Sequence, residues 1–477
     1  MISFFKSPEN KIKFVFWSLL SLVVVMPLAF GGNRPVPWSI MSLITGLLLV
    51  IWGIAANEKR ELSRVSLKHI WFFVIPFVIV MLWIPLQIFL LNTDAIVHPI
   101  WQMTQKALDS PTKPSITLDV HKTAEGFMKL LTYGMIFWLS LQVGRSPPNA
   151  KKLITAIAIA GGFYALYGII VYTLGNEHIL WYNKTAYYES LTSTFVNRNS
   201  YATYAGIGLI VSLALFFTKL LKNADRSNMR QLYITLINNF TTKSALFLLI
   251  VLLLIASLIM SNSRAGLVSA SIGCISFIGL FTLTKAAKSH RFILGISSLI
   301  LVSVFIIALA LGGDAISKRF SKLDQEIEAR GNIYSISVSA IKDFAILGSG
   351  LGTFENTFSM YRDSRLPNQF LRRVDHAHNT YLETVIELGM PAFILLTISI
   401  FSILVVCFKG LINREQDAMF PAIALATSAI IWTHALFDFS IEMPAISITY
   451  STILGVGCAQ SWSIKKSLSD RLGSADE

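Results

Sequence analysis

Cysteine is scarce in this sequence, whose 477 residues include only three. Cys274, Cys407 and Cys458 all fall inside long apolar runs, and their spacing fits neither a disulfide framework nor a cysteine metal site. Charge is also scarce, because charged residues form 14% of the chain whereas soluble domains carry about 25%. These shortages exclude a disulfide-stapled domain and an ordinary soluble protein.

Long apolar segments dominate the chain instead. Hydrophobic residues form 54% of it and its mean hydropathy is +0.61. Because a helix needs about 20 apolar residues to cross a bilayer core, we predict an all-α polytopic membrane protein with about 12 transmembrane helices. More spans follow the first one at once, so we expect it to be retained rather than cleaved as a signal. The predicted spans are residues 14–30, 38–56, 70–91, 124–143, 153–174, 201–218, 245–260, 265–284, 292–311, 390–408, 419–437 and 444–462.

The Lys and Arg residues of the short loops predict an orientation. One side of the membrane holds 23 of them and the other side 8. The positive-inside rule assigns the richer side, with both chain ends, to the cytoplasm. The net charge of +13 is then expected to face anionic inner-leaflet lipids, which requires no nucleic-acid partner. We expect transmembrane helices 1–9 in residues 1–311, a periplasmic loop in 312–389, transmembrane helices 10–12 in 390–462 and a cytoplasmic tail in 463–477.

Most of the unusual polar residues fall at the predicted periplasmic ends of the spans. Asn197, Arg198 and Asn199 precede one span within "STFVNRNSYA", and Arg264 lies in the short turn "SNSRAG" between two others. A turn that short needs no arginine for solubility, so Arg264 is interpreted as functional. Arg198 alone is also explained as a span-end arginine whose charge reaches the membrane surface.

Two further polar groups lie in and beyond the long loop. Arg330 precedes a helical pattern that ends in "GSGLG", and alone it is equally well explained as a solvated loop charge. The glycines lack the Lys-Ser/Thr of a nucleotide-binding loop, so we interpret them as a turn between two helices. His434 and Asp438, four residues apart at a span end, either contribute to a site or bond each other and cap the helix.

The stretch "DHAHNTYLETVIELG" carries His376, His378, Asn379, Glu383 and Glu387 immediately before a predicted span. Its spacing predicts a short amphipathic helix over residues 378–388 that lies at the membrane surface. Such a helix either contributes to a site or presents its polar face to lipid headgroups, with histidine and asparagine acting as caps.

Arginines and a histidine on the same water-exposed side of the membrane suggest that the protein binds a phosphate group and activates a hydroxyl. Guanidinium groups bind phosphate oxygens bidentately and keep their charge at every physiological pH. A neutral histidine can take a proton from a hydroxyl near neutral pH. Together they predict a site from which a lipid-linked diphosphate leaves while a hydroxyl attacks.

A series of motifs in this sequence resembles that of the O-antigen ligase and polymerase superfamily. In order along the chain, the motifs are "PLAFGGNRPVPW", "STFVNRNSYA", "SNSRAG", Arg330 before "LGSGLGTF", "AHNTYLETVIELG" and "HALFDFSIEMPA". Members of this superfamily are bacterial inner-membrane glycosyltransferases that use undecaprenyl-diphosphate-linked glycans. The resemblance covers almost the whole chain, from residue 31 to the last predicted span. It implies twelve spans, cytoplasmic termini and a long periplasmic loop before the tenth span.

The resemblance also implies roles for individual residues. Arg264 and Arg330 would hold the donor diphosphate and stabilise the departing charge, and Arg198 would line the same cavity with Asn197 and Asn199. His378 would orient or deprotonate the acceptor hydroxyl, supported by Asn379 and Glu383. His376, His434 and Asp438 are further candidates for a supporting role. The resemblance implies that no cofactor or metal is needed, and the sequence agrees in having no Asp-x-Asp. Asp324 and Glu326 could bind a divalent ion but are interpreted as part of a solvated segment.

The acceptor is left open by these motifs. We favour the ligase type, with a lipid A–core acceptor, over an O-antigen or exopolysaccharide polymerase and over a protein O-oligosaccharyltransferase. A polytopic transporter or lipid flippase is the alternative from another class. A transporter should place ionisable groups near the bilayer midplane, but the predicted spans are almost free of charge, with Lys129 the main exception.

Overall fold

The structure is a computed structural model. It describes residues 7–89, 98–109, 114–221, 229–284, 316–366 and 374–462, together with seven positions between 294 and 307. For 229–233 and 316–327 it describes the backbone alone. The predicted span 292–311 and the predicted tail 463–477 therefore lie essentially outside the described residues, as do the side chains of Asp324 and Glu326.

Helices make up most of the described chain. The helices are α1 (Pro8–Val25), α2 (Pro35–Glu58), α3 (Leu67–Phe89), α4 (Ile100–Leu108), α5 (Val120–Val143), α6 (Pro147–Thr173), α7 (Arg198–Leu220), α8 (Met229–Asn239), α9 (Thr242–Met260), α10 (Arg264–Leu283), α11 (Ile316–Phe344), α12 (Phe354–Tyr361), α13 (Thr380–Leu388), α14 (Met390–Asn413), α15 (Met419–His434) and α16 (Pro444–Ser461). A small hairpin of β1 (His178–Ile179) and β2 (Tyr182–Asn183) stands between α6 and α7. This composition agrees with the predicted all-α class.

Eight of the helices in the described ranges are long and apolar enough to cross a membrane: α1, α2, α3, α6, α7, α9, α10 and α14. Each coincides with a predicted span. The predicted spans 124–143 and 444–462 fall on α5 and α16, which carry more polar residues, and 419–437 falls on the shorter apolar helix α15. The protein is thus membrane-integral, and the total of twelve spans stays a prediction.

The helix α7 lies at the centre of the bundle and packs against α6, α9, α10 and α15. Small residues allow the backbones of α6 and α7 to approach each other closely. A Cβ added to Gly161 of α6 would lie 3.3 Å from the Cα of Gly208 in α7. Backbones that approach this closely are typical of helix packing in membranes. There the hydrophobic effect does not drive helices together, and small residues allow the close van der Waals packing that does. The first turns of α7 contact the start of α10 through Asn199 and Ser263 and the end of α15 through Thr203 and His434.

A second, smaller core joins α11, α12 and α13. Between α11 and α12 the glycine segment 348–352 forms the predicted turn, which is confirmed. Gly348 has φ +72°, and the backbone N–H groups of Ser349 and Gly350 donate to Ile386 O at 2.8 Å and Glu387 O at 2.9 Å. The turn therefore holds the C-terminal end of α13 by main-chain hydrogen bonds.

The helix at the end of the long loop differs from the prediction in two ways. It begins at Thr380 with Asn379 as its N-cap, so His378 precedes the helix, in a left-handed conformation with φ +52°. Glu383 and Glu387 are only 3% and 6% exposed. The interpretation of α13 as a helix with its polar face at the membrane surface is therefore wrong, because those carboxyl groups point into the protein.

Candidate active site

Two helix N-termini meet at the site, and each begins with an arginine. Arg198 is the first residue of α7 and Arg264 is the first residue of α10, with Asn197 and Ser263 as side-chain caps. Asparagine and serine are favoured caps because their side-chain oxygens accept free backbone N–H groups. The Ser263 hydroxyl also donates to Asn199 Oδ1 at 2.8 Å, which joins the two helix ends. Both arginines therefore stand at the positive ends of neighbouring helix dipoles.

A buried carboxylate connects these helix ends to the histidine loop. Asp438, which is 0% exposed, accepts a hydrogen bond from Asn199 Nδ2 at 3.1 Å and another from the Ser440 hydroxyl. Its Oδ1 also lies 3.4 Å from Nδ1 of His378. Burial alone would raise the pKa of Asp438, but the hydrogen bonds from His378 and Ser440 and the charge of His434 outweigh it and lower that pKa. Asp438 is therefore ionised at neutral pH.

His378 is held on its backbone side by a tyrosine of α11. The Tyr334 hydroxyl lies 3.0 Å from His378 O and 3.2 Å from Leu436 O. The His378 side chain is 29% exposed, so one edge of the ring meets Asp438 while the ring remains accessible. Arg330 lies one helical turn before Tyr334, and this contact brings its helix to the histidine.

The charge of Arg330 reaches the same region as that of Arg198. Burial raises the pKa of the Tyr187 hydroxyl, and the charges of Arg198, Asp438 and Arg330 all act on it. The Arg198 guanidinium lies over the Tyr187 ring, 5.5 Å from its centroid, and donates to the Ser190 hydroxyl at 3.3 Å. The structure thus brings both arginines to the neighbourhood of Asp438.

The side chains of Arg264 and Arg330 have no hydrogen bond or ion pair to any other residue that the structure describes. Arg264 is exposed and Arg330 is half-buried. An arginine at the end of an apolar helix normally finds a carboxylate or carbonyl partner unless it meets water or a ligand. These two guanidinium groups remain available to bind an anion.

His434 and Asp438 do not bond each other through their side chains. Nδ1 of the buried His434 contacts the Thr203 hydroxyl, and only the backbone N–H of Asp438 bonds to His434 O, at 3.0 Å. The two residues therefore bond each other at the end of α15 through the backbone of both and not through their side chains. Asn379 caps α13 by accepting from the N–H groups of Tyr381 and Leu382, and its Nδ2 also donates to Leu436 O at 3.3 Å.

A second cluster lies beside the His378–Asp438 pair. His376 Nδ1 is 2.9 Å from Glu383 Oε1 and 3.3 Å from Glu442 Oε2, and its ring stacks on Phe439 at 3.7 Å between centroids. Burial, together with the neighbouring Glu387, raises the pKa of Glu383 well above the ordinary value for glutamate. The Glu442 side chain is 35% exposed, and the neighbouring Glu383 and Glu387 act to raise its pKa. We infer that the cluster retains protons that hold these carboxyl groups together.

The ligand atoms of His376, Glu383 and Glu442 all lie within 4.8 Å of one another. One imidazole and two carboxylates are ligands that a divalent transition metal accepts. The residue types therefore fit a cation, although no metal was predicted from the sequence and the cluster is equally well explained by shared protons. Glu442 was missed by the sequence analysis because nothing in "FSIEMPA" indicates that it meets a histidine 66 positions earlier.

Comparison with known families decides between the classes of membrane protein. Residues 249–397 match the family model described as O-antigen ligase. This part of the chain, 149 of its 477 residues, is therefore similar to the O-antigen ligases. The matched segment contains Arg264, Arg330, His376 and His378, whereas Asn197–Asn199 and Asp438 lie outside it. No curated protein matches the chain significantly.

The match over residues 249–397 confirms the resemblance seen in the motifs. It indicates a membrane glycosyltransferase of the ligase or polymerase type, with glycan and lipid-linked substrates. Within this frame, the structure adds contacts that the sequence did not show: Asn199 and Asp438 tie the arginine-bearing helices to His378.

Proposed function

We propose that the protein transfers a glycan from undecaprenyl diphosphate to an acceptor hydroxyl, as an O-antigen ligase acting on lipid A–core. The proposal rests on the superfamily match and on one geometric observation above all. That observation is the His378–Asp438 pair, linked through Asn199 and Ser263 to the helix ends that carry Arg198 and Arg264. The site thus combines a base with groups that neutralise a diphosphate.

His378 would act as the base in this reaction. Because Asp438 is ionised and faces Nδ1, it favours the tautomer that carries hydrogen on Nδ1 and leaves Nε2 free to accept a proton. The acceptor hydroxyl would give its proton to Nε2 while its oxygen attacks the anomeric carbon of the donor sugar. General base catalysis of this kind contributes about 100- to 10,000-fold in rate.

The arginines would stabilise the leaving group. As the new glycosidic bond forms, the bond between the anomeric carbon and the diphosphate oxygen breaks, and undecaprenyl diphosphate departs with the electron pair. Arg264, Arg330 and Arg198 would neutralise the charge that develops on it, assisted by the dipoles of α7 and α10. Loss of one such donor costs about 100- to 1,000-fold in rate.

We also propose that the site faces the periplasm of a bacterial inner membrane and that both termini are cytoplasmic. The Lys and Arg bias of the short loops supports this orientation. On that side no nucleotide pool exists, so a lipid-linked glycan is the natural activated donor. Neither step above calls for a metal ion, since guanidinium groups supply the positive charge.

The test is glycan transfer in reconstituted membranes. Purified protein is mixed with undecaprenyl-diphosphate glycan and lipid A–core, without metal or ATP, beside Arg264→Ala and His378→Asn. Asparagine tolerates the left-handed conformation of residue 378, so this variant removes the base without straining the backbone. We expect lipid A–core to be glycosylated by the natural protein and transfer to fall at least about 100-fold in both variants.

Other products would revise the proposal in defined ways. A ladder of lengthened lipid-linked glycans without glycosylated lipid A–core would identify a polymerase that uses the same site. Glycan attached to a secreted protein substrate would identify the protein-acceptor branch. Full activity of both variants would overturn the roles given to Arg264 and His378.

A further inference from the structure

Lys184 is an unusually buried lysine in the loop that precedes α7. It is 4% exposed, and its ammonium donates to Asn176 Oδ1 at 2.7 Å, Ser190 O at 3.1 Å and Tyr187 O at 3.3 Å. These three acceptors match the three N–H groups of an ammonium. No carboxylate pairs with it among the described residues, and burial lowers the pKa of Lys184 to about 8. A lysine buried without a counter-ion is costly, so its position requires an explanation.

The acceptors of Lys184 belong to the segment that holds Arg198. Ser190 accepts the hydrogen bond from the Arg198 guanidinium through its side chain, and Tyr187 presents its ring to the same guanidinium. The N–H of Ser190 also donates to Tyr187 O at 3.0 Å, which closes a turn around the ammonium. Lys184 therefore binds the backbone of both residues that contact Arg198.

The same segment is attached to the turn before Arg264. Leu191 N donates to Met260 O at 2.9 Å, and Asn262 Nδ2 donates to Glu189 O at 2.7 Å. Residues 184–191 thus lie between the first residue of α7 and the turn that leads into α10. A change in this segment would displace both guanidinium groups relative to each other.

We propose that Lys184 is a positioning residue that sets the separation of Arg198 and Arg264 for the donor diphosphate. It acts through the segment 184–191 and does not itself touch the substrate. This inference deepens the proposed function and rests on it for the identity of the anion. Its local consequence, the ordering of 184–191 and of the turn at 260–262, stands on the hydrogen bonds alone.

The first test separates the local effect from the reaction. Lys184→Met keeps the length of the side chain and removes its three donors; Lys106→Met, on an exposed residue of α4, is the matched control. Hydrogen exchange is measured on the full protein in nanodiscs. We expect faster exchange at the amides of Ser190 and Leu191 in Lys184→Met and no change there in Lys106→Met. Unchanged exchange in both variants would overturn the proposal.

The second test is a double-mutant cycle on binding of undecaprenyl diphosphate. We expect Lys184→Met and Arg198→Ala each to weaken binding about ten-fold, and the double variant to lose clearly less than the product of the two, because contacting groups are not additive. Losses that multiply would show that Lys184 does not act through Arg198. Where Lys184→Met does not fold, Lys184→Gln, which keeps one donor group, takes its place in both tests.

The two proposals fail in different ways. If the natural protein binds undecaprenyl diphosphate but transfers no glycan, the transferase function is wrong and the cycle still decides the role of Lys184. If transfer occurs and the cycle is multiplicative, the function stands and the role of Lys184 is wrong.

Discussion

Nδ1 of His378 lies 3.4 Å from Oδ1 of Asp438, although 60 positions separate the two residues in the chain. The carboxylate is fully buried, whereas the imidazole is partly accessible. A buried, ionised carboxylate beside one ring nitrogen favours a single tautomer and leaves the other nitrogen to face a substrate. The position of Asp438 therefore determines which ring nitrogen of His378 faces a substrate.

Asp438→Asn should therefore impair transfer far more than its small change in shape suggests. An amide can donate to Nδ1 of His378, which would move the ring hydrogen to Nε2 and remove the proton acceptor. We expect the rate of transfer to fall about 100-fold or more with the fold intact, measured by steady-state kinetics and thermal unfolding. Asp363→Asn is the matched control, because Asp363 is exposed and pairs only with Arg365 among the described residues. Equal activity of the two variants would remove Asp438 from the mechanism.

The turn at residues 348–352, which is hydrogen-bonded to α13, should be sensitive to a single added methyl group. A Cβ at Gly348 would lie 2.2 Å from the backbone oxygen of Glu387, and the φ of +72° disfavours any other residue. Gly348→Ala should lower the free energy of unfolding by roughly 1–3 kcal/mol and reduce transfer by displacing His378. Gly46→Ala in α2, where a Cβ meets nothing within 4 Å, should leave transfer unchanged and should not lower the free energy of unfolding, because alanine is the better helix former. The measurement is thermal unfolding in nanodiscs, and equal unfolding midpoints would contradict the clash.

Glu387 should make stability depend on pH. Burial raises the pKa of Glu387 to about 7, against partial compensation by backbone hydrogen bonds from Gly352 and Phe354. A carboxyl group with a raised folded-state pKa stabilises the fold fully below its unfolded pKa, and this stability is lost as pH rises toward 7 and beyond. We expect the natural protein to lose stability on the order of 1–3 kcal/mol from pH 4.5 to 8 through this group.

The check is the same pH series with Glu387→Gln. The glutamine side chain can still accept from Phe354 N, which donates to Oε1 at 2.9 Å in the natural protein, but it does not titrate. Its unfolding midpoint should vary less with pH, whereas the exposed-site variant Glu61→Gln should follow the natural protein. A slope unchanged by Glu387→Gln would show that other groups control the pH dependence.

Removal of divalent cations should leave the transfer rate unchanged. Under the proposed function, the arginines would supply the positive charge that the diphosphate requires, and His378 would supply the base. Transfer is measured after chelation and again with added Mg²⁺ or Mn²⁺. A loss of activity that either ion restores in the natural protein but not in Glu442→Gln would instead assign a cation to the cluster of His376, Glu383 and Glu442.

The features that follow from local sequence were predicted well. Eight predicted spans coincide with apolar helices because the length of a run decides whether it can cross a bilayer. The turn at 348–352 was also predicted, since glycine specifies such turns locally. Arg264 stood out because an arginine is unexpected in so short a turn between apolar helices.

Pairings across the bundle could not be predicted, because they depend on how distant helices pack. Nothing in the sequence indicates that Ser263 meets Asn199 or that Glu442 meets His376. The polarity of α13 was misread for the same reason: Glu383 and Glu387 form a polar stripe whether they face water or a buried partner. Lys184 carried no signal either, since a lysine in a loop is ordinarily solvated.

The order of the site's parts along the chain has a consequence for biogenesis. After α13 the polypeptide passes through α14 and α15 before it returns to the site at Asp438. A nascent chain that has already displayed its arginines and His378 therefore still lacks the carboxylate that orients the histidine. Under the proposed function, the ribosome must complete α14 and α15 before the protein can act, so a partly synthesised chain would not use the lipid-linked donor during its own insertion.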